Sequence, residues 1–119
     1  MLNIGDYRGD NVGVEVNDQT QEVREQMNNA IAKALEEVGI TAEAYAKLLC
    51  PVDTGRLRNS ISHAIDENTK TVYIGTNVEY APYVEMGTSK TKAQPFLEPA
   101  ITNHVDEYRT IFYDQLKGN

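Results

Sequence analysis

"LLCPVDTGRLRNSISHAIDENTKTVYIGTN", Leu48 to Asn77, changes its backbone habit three times. An apolar pattern closes at Leu48-Leu49, a proline interrupts it, and strand-like alternation follows. Pro51 ends the preceding helix, because the residue before a proline resists helical geometry. "PVDTG" reads as a turn. Asp53 and Thr54 suit closure by side-chain hydrogen bonds, and Gly55 suits a positive φ. Next, Leu57, Ile61 and Ile65 fall on one face of a strand, with Asn59 and His63 interleaved. Ser60, Ser62 and Asp66 take the other face. "DENTK" turns the chain, and "TVYIGTN" is a return strand rich in β-branched and aromatic residues. The pair predicts a β-hairpin with a connection of four or five residues.

Upstream, Val23, Met27, Ala30, Ile31, Ala34, Val38, Tyr45, Leu48 and Leu49 recur at steps of three and four. This predicts an amphipathic helix over about 19–49, with Asp18 as N-cap. Gly39 is a place where it could bend or split. "VGVEVN", Val12 to Asn17, alternates as a short strand. Residues 1–11 read as a disordered lead. Downstream, Pro82 suits the start of a short helix and Gly87 its exit. "TSKTKAQ", residues 88–94, reads as an exposed flexible loop. Pro95 then opens a final helix whose apolar set runs from Phe96 through Tyr108 to Leu116.

The expected fold is therefore a single α+β domain over residues 1–119. A small antiparallel sheet, made of the N-terminal strand plus the β-hairpin, is packed by a long N-terminal helix and a C-terminal helix. The first helix is longer than so small a sheet can cover, so a second subunit is a natural cover for the excess, or for the apolar part of Tyr80–Met86.

Composition narrows the function. The chain has 119 residues, 40% of them hydrophobic, and a net charge of −7. No run approaches the roughly 20 apolar residues of a membrane span. "MLNIGDYRGD" lacks the pattern of a secretory signal, which predicts action where the protein is made. Residues 1–50 hold nine acids and four bases, whereas residues 51–92 hold five of each. An acidic chain is a poor candidate for gripping phosphates. The single cysteine, Cys50, excludes an internal disulfide and a thiolate zinc site within one chain, and reads as a buried residue at a helix end.

The chemical motifs are weak. Asp53-Thr54-Gly55 is the tripeptide of aspartic proteases, but here it follows a helix rather than an apolar strand and leaves no room for a flap. His63 and His104 lack metal-ligand spacing, and no phosphate-binding or nucleophile motif is present. The enzyme alternative is a small hydrolase or nuclease using Asp53, His63 and Glu85. No cofactor is implied. Other residues suit contacts. Arg56 and Arg58, two apart on the expected strand, would be solvated or would bridge to the acidic first helix of another subunit. Tyr80 and Tyr83 would close the core or anchor an interface. Lys90 and Lys92 would serve solubility or meet an acidic neighbour or DNA. Glu85 would cap or pair with an arginine of "DTGRLR".

Three ordered blocks carry a resemblance. The first has Pro51, Asp53, Thr54, Gly55, Leu57, Ser60 and Ile61. Gly75 and Thr76 follow at a strand end, and then Tyr80, Ala81, Tyr83, Val84, Glu85, Gly87 and Thr88. The last has Pro95, Phe96, Leu97, Pro99 and Ala100. The chain resembles the small head–tail joining, or tail-completion, family of long-tailed bacteriophages and prophages, which includes neck proteins and tail components. The likeness spans about residues 20–115, with Cys50 and a short 88–94 loop as departures. It implies a non-enzymatic virion part at the head–tail junction, assembled in the bacterial cytoplasm. Its implied partners are connector or neck proteins, tail-tube or tail-terminator proteins, and copies of itself, with DNA passing nearby without sequence-specific binding. Interface candidates are Arg56, Arg58, Tyr80, Tyr83, Glu85, Lys90, Lys92 and Phe96. Pro51, Asp53, Thr54, Gly55 and Gly87 are turn residues.

Overall fold

A computed structural model of the chain describes residues 2–3 and 18–117. The expected strand Val12–Asn17 lies outside them, as does the expected disordered lead except for Leu2–Asn3.

Helix α1, Asp18–Leu49, is the spine. Its 32 residues make it about 48 Å long at 1.5 Å per residue. It runs unbroken through Gly39, so the helix does not split there. Pro51 lies two residues beyond its end. Ile31, Ala34, Leu35, Val38, Ala42, Ala46 and Cys50 make one buried stripe at steps of three and four.

The segment Arg56–Ser60 corrects the sequence reading. It forms a short helix, α2, rather than the start of a strand. Gly55 precedes it at φ 89°, and the Arg56 N–H donates to Thr54 Oγ1 at 3.2 Å. The strand β2 begins only at Ser62 and ends at Asp66, and β3 spans Thr71–Gly75. Counting Leu2–Asn3 as β1, the antiparallel sheet has the order β1-β3-β2. Ile65 pairs with Val72 and His63 with Ile74. The α+β class, the hairpin and the two helical flanks are as the sequence predicts.

Beyond the hairpin come α3, Ala81–Met86, α4, Leu97–Thr102, and α5, Val105–Lys117. The single C-terminal helix expected from Pro95 is thus two helices, and α4 starts at Leu97. A turn at Asn103-His104 separates them. The break lets the His104 ring stack on Tyr45 at 3.6 Å between centroids and 6° between planes. The Tyr45 hydroxyl donates to Glu107 Oε1 at 2.7 Å. That bond, followed by burial, pushes the Tyr45 pKa up. Tyr108, fully buried, donates its hydroxyl to the Ala100 carbonyl and so ties α5 to α4.

The core has two clusters strung along α1. One joins Ile31, Leu35 and Val38 to Val72, Tyr108 and Phe112. The other joins Ala46 and Cys50 to Leu57, Ile61, Val78, Ala81, Phe96 and Ala100. Tyr45 and Ile74 pack against both. Burying a side chain the size of Phe96 stabilises by about 1.5–3 kcal/mol.

Candidate functional site

The three sequence blocks meet at the C-terminal end of α1. Pro51, Val52, Asp53, Thr54, Gly55 and Leu57 form one wall of a groove of about 290 Å³. Tyr80, Val84 and Gln94 line the other. Of these, the sequence predicts Pro51, Asp53, Thr54 and Gly55 as turn residues and Tyr80 as a contact candidate, and the fold lines one groove with all five.

Most of the motif side chains hold backbone in place. Ser60 Oγ donates to the Leu57 carbonyl at 2.6 Å and meets Thr76 Oγ1. Thr76 Oγ1 in turn accepts the Val78 N–H at 3.1 Å. Helix α2 is thereby fastened to the exit of β3. Glu85 caps a helix rather than pairing with an arginine. Its Oε1 accepts the N–H groups of Phe96 and Leu97, both at 3.0 Å, and its Oε2 accepts that of Glu98 at 3.1 Å. The first turn of α4 would otherwise leave these donors unsatisfied.

Gly87 is fixed by its surroundings. It has φ 78°, and a Cβ there would lie 2.7 Å from the Ala93 nitrogen. The loop 88–94 folds back on itself. Thr88 Oγ1 accepts the N–H groups of Lys90 and Thr91 at 3.2 and 2.9 Å, and the Gln94 N–H donates to the Val84 carbonyl at 2.8 Å. The lysine side chains of this loop point to no acid among the described residues.

The two arginines of α2 diverge, because helical residues two apart do not share a face. Arg56 makes a two-toothed ion pair with Glu79, at 3.1 and 2.9 Å, and sits 5.4 Å over the Tyr80 ring. The Arg56 guanidinium holds the Glu79 carboxyl below its usual range. This pair is local to one chain. Arg58 is exposed and, among the described residues, has no ion-pair partner; its charge acts to lower the Cys50 pKa. Burial nevertheless dominates and pushes the Cys50 pKa up, so the thiol is a poor nucleophile.

Tyr80 and Tyr83 also part company. Tyr80 is half-buried against the second core cluster, whereas Tyr83 is 62% exposed. Phe96 is fully buried and belongs to the core. Other large apolar residues are exposed too: Met86 is 80% exposed and Leu48 79%, and Leu49 and Val52 are exposed as well. The sequence singles out neither Leu48 nor Val52 as a contact residue, whereas Met86 falls in the Tyr80–Met86 segment that it offers for cover by another subunit. Apolar residues at the end of a helical stripe look like core until the fold leaves them uncovered.

The residues of the enzyme alternative are engaged separately. Glu85 is occupied by α4. His63 bridges two carboxylates of α1, with Nε2 2.7 Å from Glu36 Oε1 and Nδ1 2.8 Å from Glu43 Oε1. Burial alone would lower the His63 pKa; the bonds to Glu36 and Glu43 outweigh it, and the net shift is upward. Asp53 is exposed beside the groove. Among the described residues, no group of three or more His, Cys, Asp or Glu could hold a metal ion, and no helix is long and apolar enough to cross a membrane.

Residues 14–87 match a family model described as "HK97-gp10_like: Bacteriophage HK97-gp10, putative tail-component". The chain belongs to this HK97-gp10-like family. The match includes α1, the hairpin and all of α3, so the Glu85 carboxylate and every groove residue but Gln94 fall within the family unit while α4 and α5 follow it. Membership makes the chain a structural component of a phage tail, and so a virion protein. No curated protein and no solved structure matches the chain.

Proposed function

We propose that this HK97-gp10-like protein completes the tail at the head–tail junction. In this reading it binds connector or neck proteins on one side and tail-tube or tail-terminator proteins on the other, as several copies around the DNA path. It is made and assembled in the bacterial cytoplasm and ends in the virion. Family membership is the observation that carries the reading.

The site geometry supports it. Ser60, Thr76, Glu85, Gly87 and Thr88 hold backbone segments in register. Leu48, Leu49, Val52, Tyr83 and Met86 are large, apolar or aromatic, and exposed, the residue types that form the core of a protein–protein contact. The net charge of −7 suits a surface past which DNA slides without adhering.

A phage or prophage carrying a stop codon in this reading frame tests the proposal. The expected result is filled heads and separate tails, joined when purified wild-type protein is added to the lysate. Normal infectious particles, or a block before head filling, would contradict it.

A further inference from the structure

We propose that the outer face of α3 and the loop 88–94 form one docking surface, and that it takes an apolar patch bordered by acids on a neighbouring tail protein. This deepens the reading above, and rests on it in taking connector or tail-tube proteins as the neighbours.

The loop has a held backbone. Gly87 leaves α3 at φ 78°, and a Cβ there would meet the Ala93 nitrogen at 2.7 Å and the Thr91 carbonyl oxygen at 2.9 Å. The Thr88 N–H donates to the Thr91 carbonyl at 2.8 Å, while Thr88 Oγ1 accepts the N–H groups of Lys90 and Thr91. The Gln94 N–H returns to the Val84 carbonyl at 2.8 Å, and Glu85 fixes the residues that follow. Both ends of the loop are thus tied to the last turn of α3.

The side chains carried on this frame are unused within the chain. Tyr83 and Met86, three apart on α3, lie on one side of it and are 62% and 80% exposed. Lys90 and Lys92 are exposed and make no ion pair among the described residues. Lys92 adjoins Ala93, whose backbone touches Gly87, the residue after Met86, so the loop borders the apolar pair. A backbone ordered in advance lowers the cost of ordering on binding. A fixed frame with bare side chains is therefore suited to a contact.

Charge names the partner's chemistry. The two lysines are bases in a chain of net charge −7. The acids near them in sequence are otherwise placed. Glu79 pairs with Arg56, Glu85 is turned onto the N–H groups of α4, and Glu98 lines a groove with Met86, Leu97 and Ile101. The vacant complement is a protein surface with Asp or Glu opposite the loop and apolar side chains opposite Tyr83 and Met86. Tyr and Met are enriched at such interfaces, and charges on the rim select the partner. Duplex DNA would answer the lysines but leave Tyr83 and Met86 bare, and two lysines are a small footprint for phosphate binding.

Zero-length cross-linking tests this. The full chain is mixed with purified connector and tail-tube proteins from the same gene cluster, and a carbodiimide then joins lysines to carboxylates in contact. Mass spectrometry of the digest should find Lys90 or Lys92 joined to an Asp or Glu of one of those proteins. Lys90→Glu with Lys92→Glu should weaken the complex about tenfold, as should Tyr83→Ala with Met86→Ala, each with an unchanged circular dichroism spectrum. Reversing the charge of the cross-linked partner carboxylates should restore binding to the lysine variant. Salt of about 1 M, where screening acts within about 3 Å, should weaken the parent complex several-fold. A complex without these adducts, or one that tolerates either pair of substitutions within about twofold, overturns this inference and leaves the joining role standing. Adducts confined to this chain's own carboxylates, found by mixing isotopically light and heavy copies, overturn it in favour of a self-contact. Tight binding of a short DNA duplex at physiological salt, lost in the lysine variant, overturns it in favour of DNA. Absence of any complex with either protein overturns it together with the joining role.

Discussion

Glu85 Oε1 stands 3.0 Å from the Leu97 backbone nitrogen, twelve residues further along the chain. With its bonds to Phe96 and Glu98, this carboxylate starts helix α4 from within α3. The loop between them is therefore closed at its base by one side chain, and Phe96 is delivered into the core.

Glu85→Ala should lower stability by about 1–2 kcal/mol, the scale of a lost helix cap. Glu85→Gln, which keeps an acceptor oxygen, should lose less. Urea unfolding followed by circular dichroism measures both. Equal stability of Glu85→Ala and wild type would mean that α4 needs no cap from α3.

Gly87→Ala should cost more than about 1 kcal/mol. The backbone sits at φ 78°, where a side chain is strained, and the added carbon would meet the Ala93 nitrogen at 2.7 Å. Thermal melts of the variant should show the loss.

Stability should depend on pH through the His63 bridge. The folded His63 pKa is raised above its ordinary 6.5, so its contribution is complete below about 6.5 and fades as pH rises through the folded value. Glu43 is the opposite case. Its hydrogen bond to His63, opposed by burial, holds its pKa below 4.5. Its contribution is present above about 4.5 and is lost as pH falls through the folded value. His63→Gln should flatten the profile on the alkaline side of about pH 6.5. Gly39→Ala should act similarly by another route, because a Cβ there would lie 2.5 Å from His63 Cδ2. Denaturant midpoints across that range decide it.

Much of this fold was legible in the sequence, for reasons that also explain the failures. Helix α1 shows itself by thirty residues of one period and a terminal proline, and the hairpin by its turn chemistry. Leu57, Ile61 and Ile65 misled because a step of four satisfies a strand and a helix alike. The break at Asn103-His104 was invisible because the apolar spacing continues across it, from Ile101 to Val105 and Tyr108. What decides that break is the distant Tyr45 ring. The same holds at the site: Glu85 was readable as a cap or a pairing acid, but its target depends on how the 88–94 loop returns. The openness of Leu48 and Met86 depends on what the fold leaves uncovered.

Asp53→Asn should leave the fold nearly unchanged, within about 0.5 kcal/mol, the usual range for a surface change. The neighbouring turn bond comes from Thr54 Oγ1, and the Asp53 carboxylate is exposed. Thr54→Ala should cost more, about 1 kcal/mol. If Asp53→Asn instead abolished head–tail joining while the protein stayed folded, Asp53 would be a contact residue.

The most direct measurement is the mass of the purified protein in solution, alone and then mixed with connector and tail-tube proteins from the same gene cluster. The account predicts a small species alone and a stable large complex with those partners, weakened by Tyr83→Ala with Met86→Ala, both exposed on α3. A protein that keeps its mass in the presence of both partners would contradict it.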